Sequence, residues 1–294
     1  MQLDYETFTL EILREVKSRI GENAEIGIHQ VVKNNGVILT GLTIRKQGGK
    51  TAPNIYLEDF YCRFQKGTSL MEIVSEILAI YQERKDTIVQ NLDFFADFDR
   101  VQDRILFKLI NRNMNREMLV NVPYLPFLDF AVTFYYFAED LSYGKGSIQI
   151  TNGHMGMWNT TKQQLYHLAR RNTRKLRPAV ILSMGELLAD YGLEMEEDPR
   201  CSLYIITNED KTFGASGILY DQELQRAGEI LGADYYILPS SIHEVLLISD
   251  QVEMEKDELS AMVREINEKQ VPREEVLSDH IYHYERMSHR FSAC

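Results

Sequence analysis

Cysteine is scarce in this sequence. Its 294 residues include three cysteines, Cys62, Cys201 and Cys294. They are too few and too scattered to form a disulfide framework or a CxxC metal site. We therefore expect free thiols and a reducing compartment.

Long apolar runs and an excess of positive charge are also missing. No stretch reaches the roughly 18 uninterrupted apolar residues of a membrane helix, and the longest candidate, residues 127–137, is interrupted by Asp129 and Thr133. Residues 1–6 carry neither the basic nor the apolar segment of a secretory leader. The 44 acidic residues outnumber the 32 basic ones, which gives a net charge of −12 and argues against broad nucleic-acid binding. These absences predict a cytoplasmic protein with no membrane partner.

Hydrophobic periodicity predicts a mixture of helices and strands. Apolar residues at three- and four-residue spacing, or helix-start signals, predict helices over residues 4–20, from Ser69 to Tyr81, from Thr160, from Pro178 to about Gly192, and over residues 221–231 and 256–269. Alternation and apolar runs predict strands over residues 26–32, 37–44, 105–110, 127–137, 147–151, 203–207, 216–219, 235–238 and 245–248. Between the first two strands, Asn34-Asn35-Gly36 predicts a type I′ hairpin turn.

These elements predict an α+β fold of mixed sheets with packed helices, ending in a C-terminal strand, helix and β-hairpin unit. Pro123 and Pro126 interrupt the pattern in its middle. We therefore expect an N-terminal helix and hairpin region over residues 1–120, a C-terminal α/β region over residues 121–272 and a tail over residues 273–294. A single domain is the alternative.

A phosphate-binding loop is not predicted. Gly49-Lys50-Thr51 follows a strand, but the motif needs a glycine where Ile44 stands, and Pro53 blocks an immediate helix start. The sequence therefore predicts no cofactor.

Positive charge is concentrated in one segment, residues 170–177. Arg170, Arg174 and Arg177 share a face at helical spacing and could bind an anionic partner. The alternative is structural, because cations are favoured at the C-terminal end of a helix.

The segment at residues 239–244 holds the residue types of a nucleophilic or acid–base site. Ser240, Ser241, His243 and Glu244 lie in a short turn between two apolar strands. A nucleophile and its base normally come from separate segments, and the Gly-x-Ser-x-Gly hydrolase motif is absent from this turn. The turn is therefore predicted to be structural first, with a ligand or partner contact as the functional alternative.

The histidines near the end of the chain could suggest zinc. On a helix, His280 and His283 would share a face and could bind a metal beside a carboxylate. However, Tyr282 and Tyr284 alternate with their neighbours, which favours a strand and places the two histidines on opposite faces. No metal site is predicted.

The C-terminal third resembles a bacterial family of proteins with a domain of unknown function, found in anaerobic gut bacteria. The resemblance rests on residues 203–208, Gly214-Ala215-Ser216, Leu231-Gly232 and residues 236–245, and it extends along most of the chain. A second such bacterial family is similar in its order of helix, strand, proline-containing turn and strand. The resemblance implies one recognisable domain type and brings no activity, cofactor or catalytic residue.

Two functional hypotheses follow. The first is a non-catalytic cytoplasmic binding or regulatory protein that recognises an unknown protein or small ligand. The alternative is a hydrolase-like enzyme that uses Ser240 or Ser241 with His243 and a distant carboxylate. The enzyme requires His243 to line a pocket within hydrogen-bond reach of a hydroxyl from another segment.

Overall fold

The structure is a computed structural model, and it describes residues 3–21, 24–47, 54–84, 93–141, 144–189, 192 and 203–294. The segment Gly49-Lys50-Thr51 and Cys201 lie outside these residues. Cys62 and Cys294 are free and exposed. The chain forms two compact units: residues 1–33, 37–97 and 138–146, and residues 34–36, 98–137 and 147–294. Because compactness does not establish independent folding, the domain boundaries at residues 120 and 272 stay predictions.

The first unit packs helices on a three-stranded antiparallel sheet of order β1-β2-β3. Its elements are α1 (Tyr5–Ile20), β1 (Ala24–Val32), β2 (Ile38–Lys46), β3 (Asn54–Tyr56), α2 (Glu58–Gln65) and α3 (Leu70–Arg84). Helix α1 begins where the Asp4 carboxylate accepts a hydrogen bond of 2.8 Å from the Thr7 N–H. Its apolar face contributes Phe8, Ile12 and Val16 to the core.

The predicted β1–β2 hairpin is confirmed. The strands pair antiparallel, with Val32 opposite Ile38. Asn35 and Gly36 have φ angles of 59° and 68°. Asparagine and glycine adopt this left-handed region at the least steric cost, which explains why the turn forms here.

Two further sheets lie wholly or mainly in the second unit. The first has order β4-β6-β5, with β7 also paired to β6. Its elements, with the helices around them, are α4 (Phe98–Val101), β4 (Ile105–Asn111), α5 (Arg116–Leu119), β5 (Tyr124–Phe127), β6 (Phe130–Leu141), β7 (Gly144–Gln149), α6 (Asn152–Trp158) and α7 (Lys162–Leu176). A capping box between Thr161 and Gln164 starts α7 where the sequence predicted it.

Two buried polar side chains fix α7 against β4. Asn172 Nδ2 donates to the carbonyl oxygens of Gln102 and Ile105, at 2.8 and 3.0 Å. The Phe107 N–H donates to Thr173 Oγ1 at 3.1 Å. These bonds determine which side of α7 is buried and leave its basic side chains outside.

The second sheet is antiparallel, with order β13-β12-β10-β11-β9-β8. Its strands and the associated helices are β8 (Ala179–Ser183), α8 (Met184–Ala189), β9 (Leu203–Asn208), α9 (Asp221–Leu231), β10 (Tyr235–Leu238), β11 (Val245–Ser249), α10 (Lys256–Lys269), β12 (Tyr282–Glu285) and β13 (Arg290–Ala293). Leu259 and Val263 of α10 pack against Leu238, Ile248 and Ile281. Across the described residues, the elements confirm the α+β fold, and no helix is long and apolar enough to cross a membrane.

Two predicted elements are wrong. The helix predicted from Pro178 is instead β8 followed by the short α8, because the apolar run after Pro178 pairs with β9, with Val180 opposite Thr207. The strand predicted at residues 216–219 is a 3-10 turn, Gly214–Leu219. A Cβ added at Gly217 would lie 2.5 Å from Ile206 Cγ2. The segment therefore packs closely against a side chain of β9, and it does not pair with β9 as a strand.

Candidate functional site

The turn at residues 239–244 joins β10 to β11, and its backbone is anchored to a neighbouring segment. The Leu277 N–H donates to the Ser240 carbonyl at 3.1 Å, and the Ile242 N–H donates to the Glu275 carbonyl at 2.8 Å. Ser241 forms a β-bridge with Val276. The turn therefore presents its side chains from a fixed backbone.

The His243 ring is held on both of its nitrogen atoms. The Phe213 N–H donates to Nδ1 at 3.2 Å, and the Phe213 ring stacks on the imidazole at 5.7 Å between centroids. Nε2 lies 3.5 Å from Glu275 Oε1. Because a backbone N–H can only donate, Nδ1 holds the lone pair, and Nε2 carries the hydrogen that faces the carboxylate.

The turn opens onto a pocket of about 410 Å³. Two apolar side chains, two hydroxyl side chains and four ionisable side chains line this pocket. They are Leu187 and Ile205, Thr207 and Ser241, and Lys211, His243, Glu244 and Glu275. Burial raises the pKa of Glu244, and Glu275 raises it further, while His243 and Lys211 act in the opposite direction.

The pocket contains part of the predicted site and adds residues that the sequence did not indicate. Ser241, His243 and Glu244 line it together, whereas Ser240 is buried and is not in its lining. Thr207, Lys211 and Glu275 come from distant segments. Glu275 could have been sought as the carboxylate that the hydrolase hypothesis required, but nothing in its sequence neighbourhood marks it.

The geometry does not assemble a serine–histidine pair. Among the described residues, no hydroxyl forms a hydrogen bond with the His243 ring. Ser241 Oγ accepts the backbone N–H of His243 at 3.0 Å. Thr207 Oγ1 donates to the His243 carbonyl oxygen at 3.0 Å. Both hydroxyls thus bind the histidine backbone, although nucleophilic catalysis needs one of them at the ring.

A second concave surface lies on α7. It encloses about 430 Å³ and is lined by His167, Arg170, Arg171, Arg174, Lys175 and Tyr220. We call it the basic groove. The Arg170 guanidinium lies 5.9 Å from the centre of the Tyr220 ring, and the Tyr220 hydroxyl donates to the Arg170 carbonyl oxygen at 2.9 Å.

The prediction that Arg177 shares a face of α7 with Arg170 and Arg174 is wrong. Arg177 is buried, its Nη1 lies 2.8 Å from Asp210 Oδ2, and its guanidinium stacks over Phe137 at 4.4 Å. As the C-terminal cap of α7 it has φ −141° and ψ 60°. Because these angles are not helical, its side chain leaves the row that starts at Arg170 and Arg174.

Comparison with known proteins assigns the chain to a family. A family model matches residues 5–286, and its description is a family of unknown function, DUF5688. The chain belongs to this family. The match confirms the domain of unknown function to which the sequence was similar, and it includes most residues of both compact units. No curated protein and no solved structure matches the chain at a significant level. Membership in DUF5688 therefore brings no ligand or reaction.

Proposed function

We propose that this chain is a cytoplasmic, non-catalytic binding protein whose basic groove takes a small anionic ligand such as a phosphorylated molecule. The observation that carries the proposal is the concentration of four lysine and arginine side chains and one histidine around one groove in a chain of net charge −12. A volume of about 430 Å³ is in the range of small-molecule sites. Free thiols at Cys62 and Cys294 are consistent with a reducing compartment.

The positive charge of the groove is little compensated by the protein itself. Within the described part of the chain, Arg171 alone among the groove residues contacts a carboxylate, that of the exposed Asp103 at 3.4 Å. Arg174 contacts the neutral amide oxygen of Gln222. An anion would therefore supply the counter-charge that the groove lacks.

The helix dipole does not account for all of this charge. Its effect is confined to the last turn of a helix, where Arg174 and Lys175 lie. His167 and Arg170 precede that turn and line the same groove. Their position supports a ligand site rather than end-stabilisation alone.

Tyr220 adds a neutral aromatic side chain to the lining of the groove. Burial raises its pKa strongly, against the opposing effect of Arg170. The phenol therefore stays uncharged and does not repel an anion.

Neutralising the basic groove should weaken the binding of an anion. The triple substitution Arg170→Gln, Arg174→Gln and Lys175→Gln should raise the Kd for tripolyphosphate roughly 30-fold, because three exposed charge contacts at about 0.7 kcal/mol each sum to about 2 kcal/mol. Isothermal titration calorimetry measures this change. Binding to the unaltered chain should weaken as salt screens the contacts.

A matched variant controls for net charge. Arg226, Arg264 and Lys269 are exposed basic residues on α9 and α10. Changing all three to Gln alters the net charge equally and should leave the Kd within about twofold. An equal loss in both triple variants would show a diffuse charge effect and contradict the proposal.

The absence of a serine–histidine contact supports a non-catalytic role. The Nδ1 lone pair of His243 is engaged by Phe213 and its Nε2 faces Glu275, so neither nitrogen is positioned to take a hydroxyl proton. We therefore expect Ser241→Ala to leave the rate of p-nitrophenyl acetate hydrolysis unchanged. A burst in the unaltered chain that Ser241→Ala abolishes would favour the hydrolase instead.

A further inference from the structure

Three metal-ligating side chains converge at one end of the C-terminal sheet. Asp234 immediately precedes β10, Asp250 immediately follows β11, and His283 lies in β12. One ligand atom from each lies within 4.8 Å of the other two, and all three residues are half-buried. Neither the turn pocket nor the basic groove includes any of them.

The backbone of the sheet determines this convergence. The Asp250 N–H donates to the Asp234 carbonyl at 3.0 Å, which continues the β10–β11 ladder beyond Tyr235 and Ser249. On the other side of β10, His283 is opposite Tyr236. Because side chains alternate along a strand, Asp234 and Tyr236 share a face, and the cross-strand partners Asp250 and His283 project to that same face.

Further contacts orient the individual ligands. The Arg286 N–H donates to Asp234 Oδ1 at 2.9 Å, which fixes that carboxylate and leaves Oδ2 for another partner. The His283 ring packs against Tyr236 with centroids 5.1 Å apart. This kind of outer contact is what holds metal ligands in position.

The spacing suits a metal ion. His283 Nε2 lies 3.2 Å from Asp250 Oδ2. Two ligands at zinc-to-ligand distances of about 2.0–2.2 Å in a tetrahedron are separated by about 3.4 Å. The third ligand needs only a small side-chain rotation, since it already lies within 4.8 Å.

We propose that Asp234, Asp250 and His283 bind a divalent transition metal ion, with zinc as the best fit to a ligand set of one imidazole and two carboxylates. Water completes the coordination, because three half-buried protein ligands leave a position open to solvent. The extended structure that the sequence favoured around Tyr282 and Tyr284 is β12, and it places His283 beside the aspartates that flank β10 and β11.

The structural alternative is a simple ion pair between a protonated His283 and Asp250. That pair would leave the Asp234 carboxylate close to a second carboxylate. Among the described residues no lysine or arginine forms an ion pair with either aspartate, and the Lys256 Nζ lies over the Tyr236 ring, 6.0 Å from its centre. A dication balances both carboxylates at once, whereas a singly charged imidazolium does not.

The test uses the full chain after treatment with EDTA. Titration with zinc chloride, followed by competition with a chromophoric chelator, should give one site with a micromolar Kd. His283→Ala and, separately, Asp250→Asn should each raise that Kd about 100-fold or more. His280→Ala is the matched control, because His280 is an exposed tail histidine that contacts Asp129. The Kd of this variant for zinc should equal that of the unaltered chain.

Cobalt substitution identifies the ligands directly. Co²⁺ in a nitrogen and oxygen site should give visible d–d bands without the intense near-ultraviolet band of a thiolate ligand. A thiolate band would assign the metal to a cysteine such as Cys294 and overturn the proposal. Equal zinc binding by the unaltered chain and both variants, or no binding below millimolar zinc, would also overturn it. If either variant fails to fold by circular dichroism, Asp234→Asn replaces it in the same assay.

Discussion

Asp210→Asn should lower the free energy of unfolding by about 3 kcal/mol, the low end of the cost of removing one partner from a buried ion pair, because the Asp210 side chain is 26% exposed. The Arg177 side chain is 5% exposed and lies 2.8 Å from the Asp210 carboxylate. Its Nε and Nη1 atoms have no well-aligned hydrogen-bond partner among the described residues. The carboxylate is therefore the main compensation for a buried charge, and an amide cannot replace it.

Urea denaturation of two further variants separates this ion pair from general effects of the substitution. Asp103→Asn breaks the ion pair of Arg171, but Asp103 is 81% exposed, so the change should stay within about 0.5 kcal/mol. In an Arg177→Met background, Asp210→Asn should cost little, because no buried charge remains. A loss in that background as large as in the unaltered chain would contradict the role assigned to the pair.

The elements that the sequence predicted well are those whose signals are local. Helices α9 and α10 have the predicted limits, 221–231 and 256–269. Gly232 ends α9 with a φ of 69°, a conformation that glycine adopts without strain. Helix periodicity and end signals lie within the segment itself, so the rest of the fold is not needed to interpret them.

The segment after Pro178, which the sequence wrongly predicted as a helix, depends on pairing with another strand. Residues 179–182 are all apolar, a pattern that fits a buried strand or a buried helix equally well. The choice is made by β9, where Ile206 is opposite Ile181. Local propensity cannot supply that partner, which is separated from β8 by about 20 residues of chain.

In the candidate sites, too, the sequence predicted residues that are close together in the chain and missed contacts between distant segments. The sequence indicated Ser241, His243 and Glu244 because they are contiguous in one turn. It could not place Glu275 at the His243 ring, since the two come together only through the backbone bonds between the turn and residues 275–278. It also misplaced Arg177, because the periodic rule assumed helical geometry at the residue where α7 ends.

Gly214→Ala should lower the free energy of unfolding by about 3 kcal/mol, at the upper end of the usual cost of overpacking. An alanine Cβ there would lie 2.6 Å from the His243 carbonyl oxygen, 2.6 Å from Thr207 Oγ1 and 2.7 Å from the Asn208 backbone nitrogen. Two of these atoms belong to backbone and cannot rotate away. The hydrogen bond from Thr207 to the His243 carbonyl, 3.0 Å long, must therefore break or shift.

A helix glycine provides the matched control for this substitution. Nothing lies within 4 Å of a Cβ added at Gly156 in α6. Gly156→Ala should raise the free energy of unfolding by about 0.5–1 kcal/mol, because alanine loses less conformational entropy than glycine in a helix. Both values come from urea denaturation followed by circular dichroism. A Gly214→Ala variant as stable as Gly156→Ala would contradict the close packing of Gly214 against the His243 carbonyl and the Asn208 backbone.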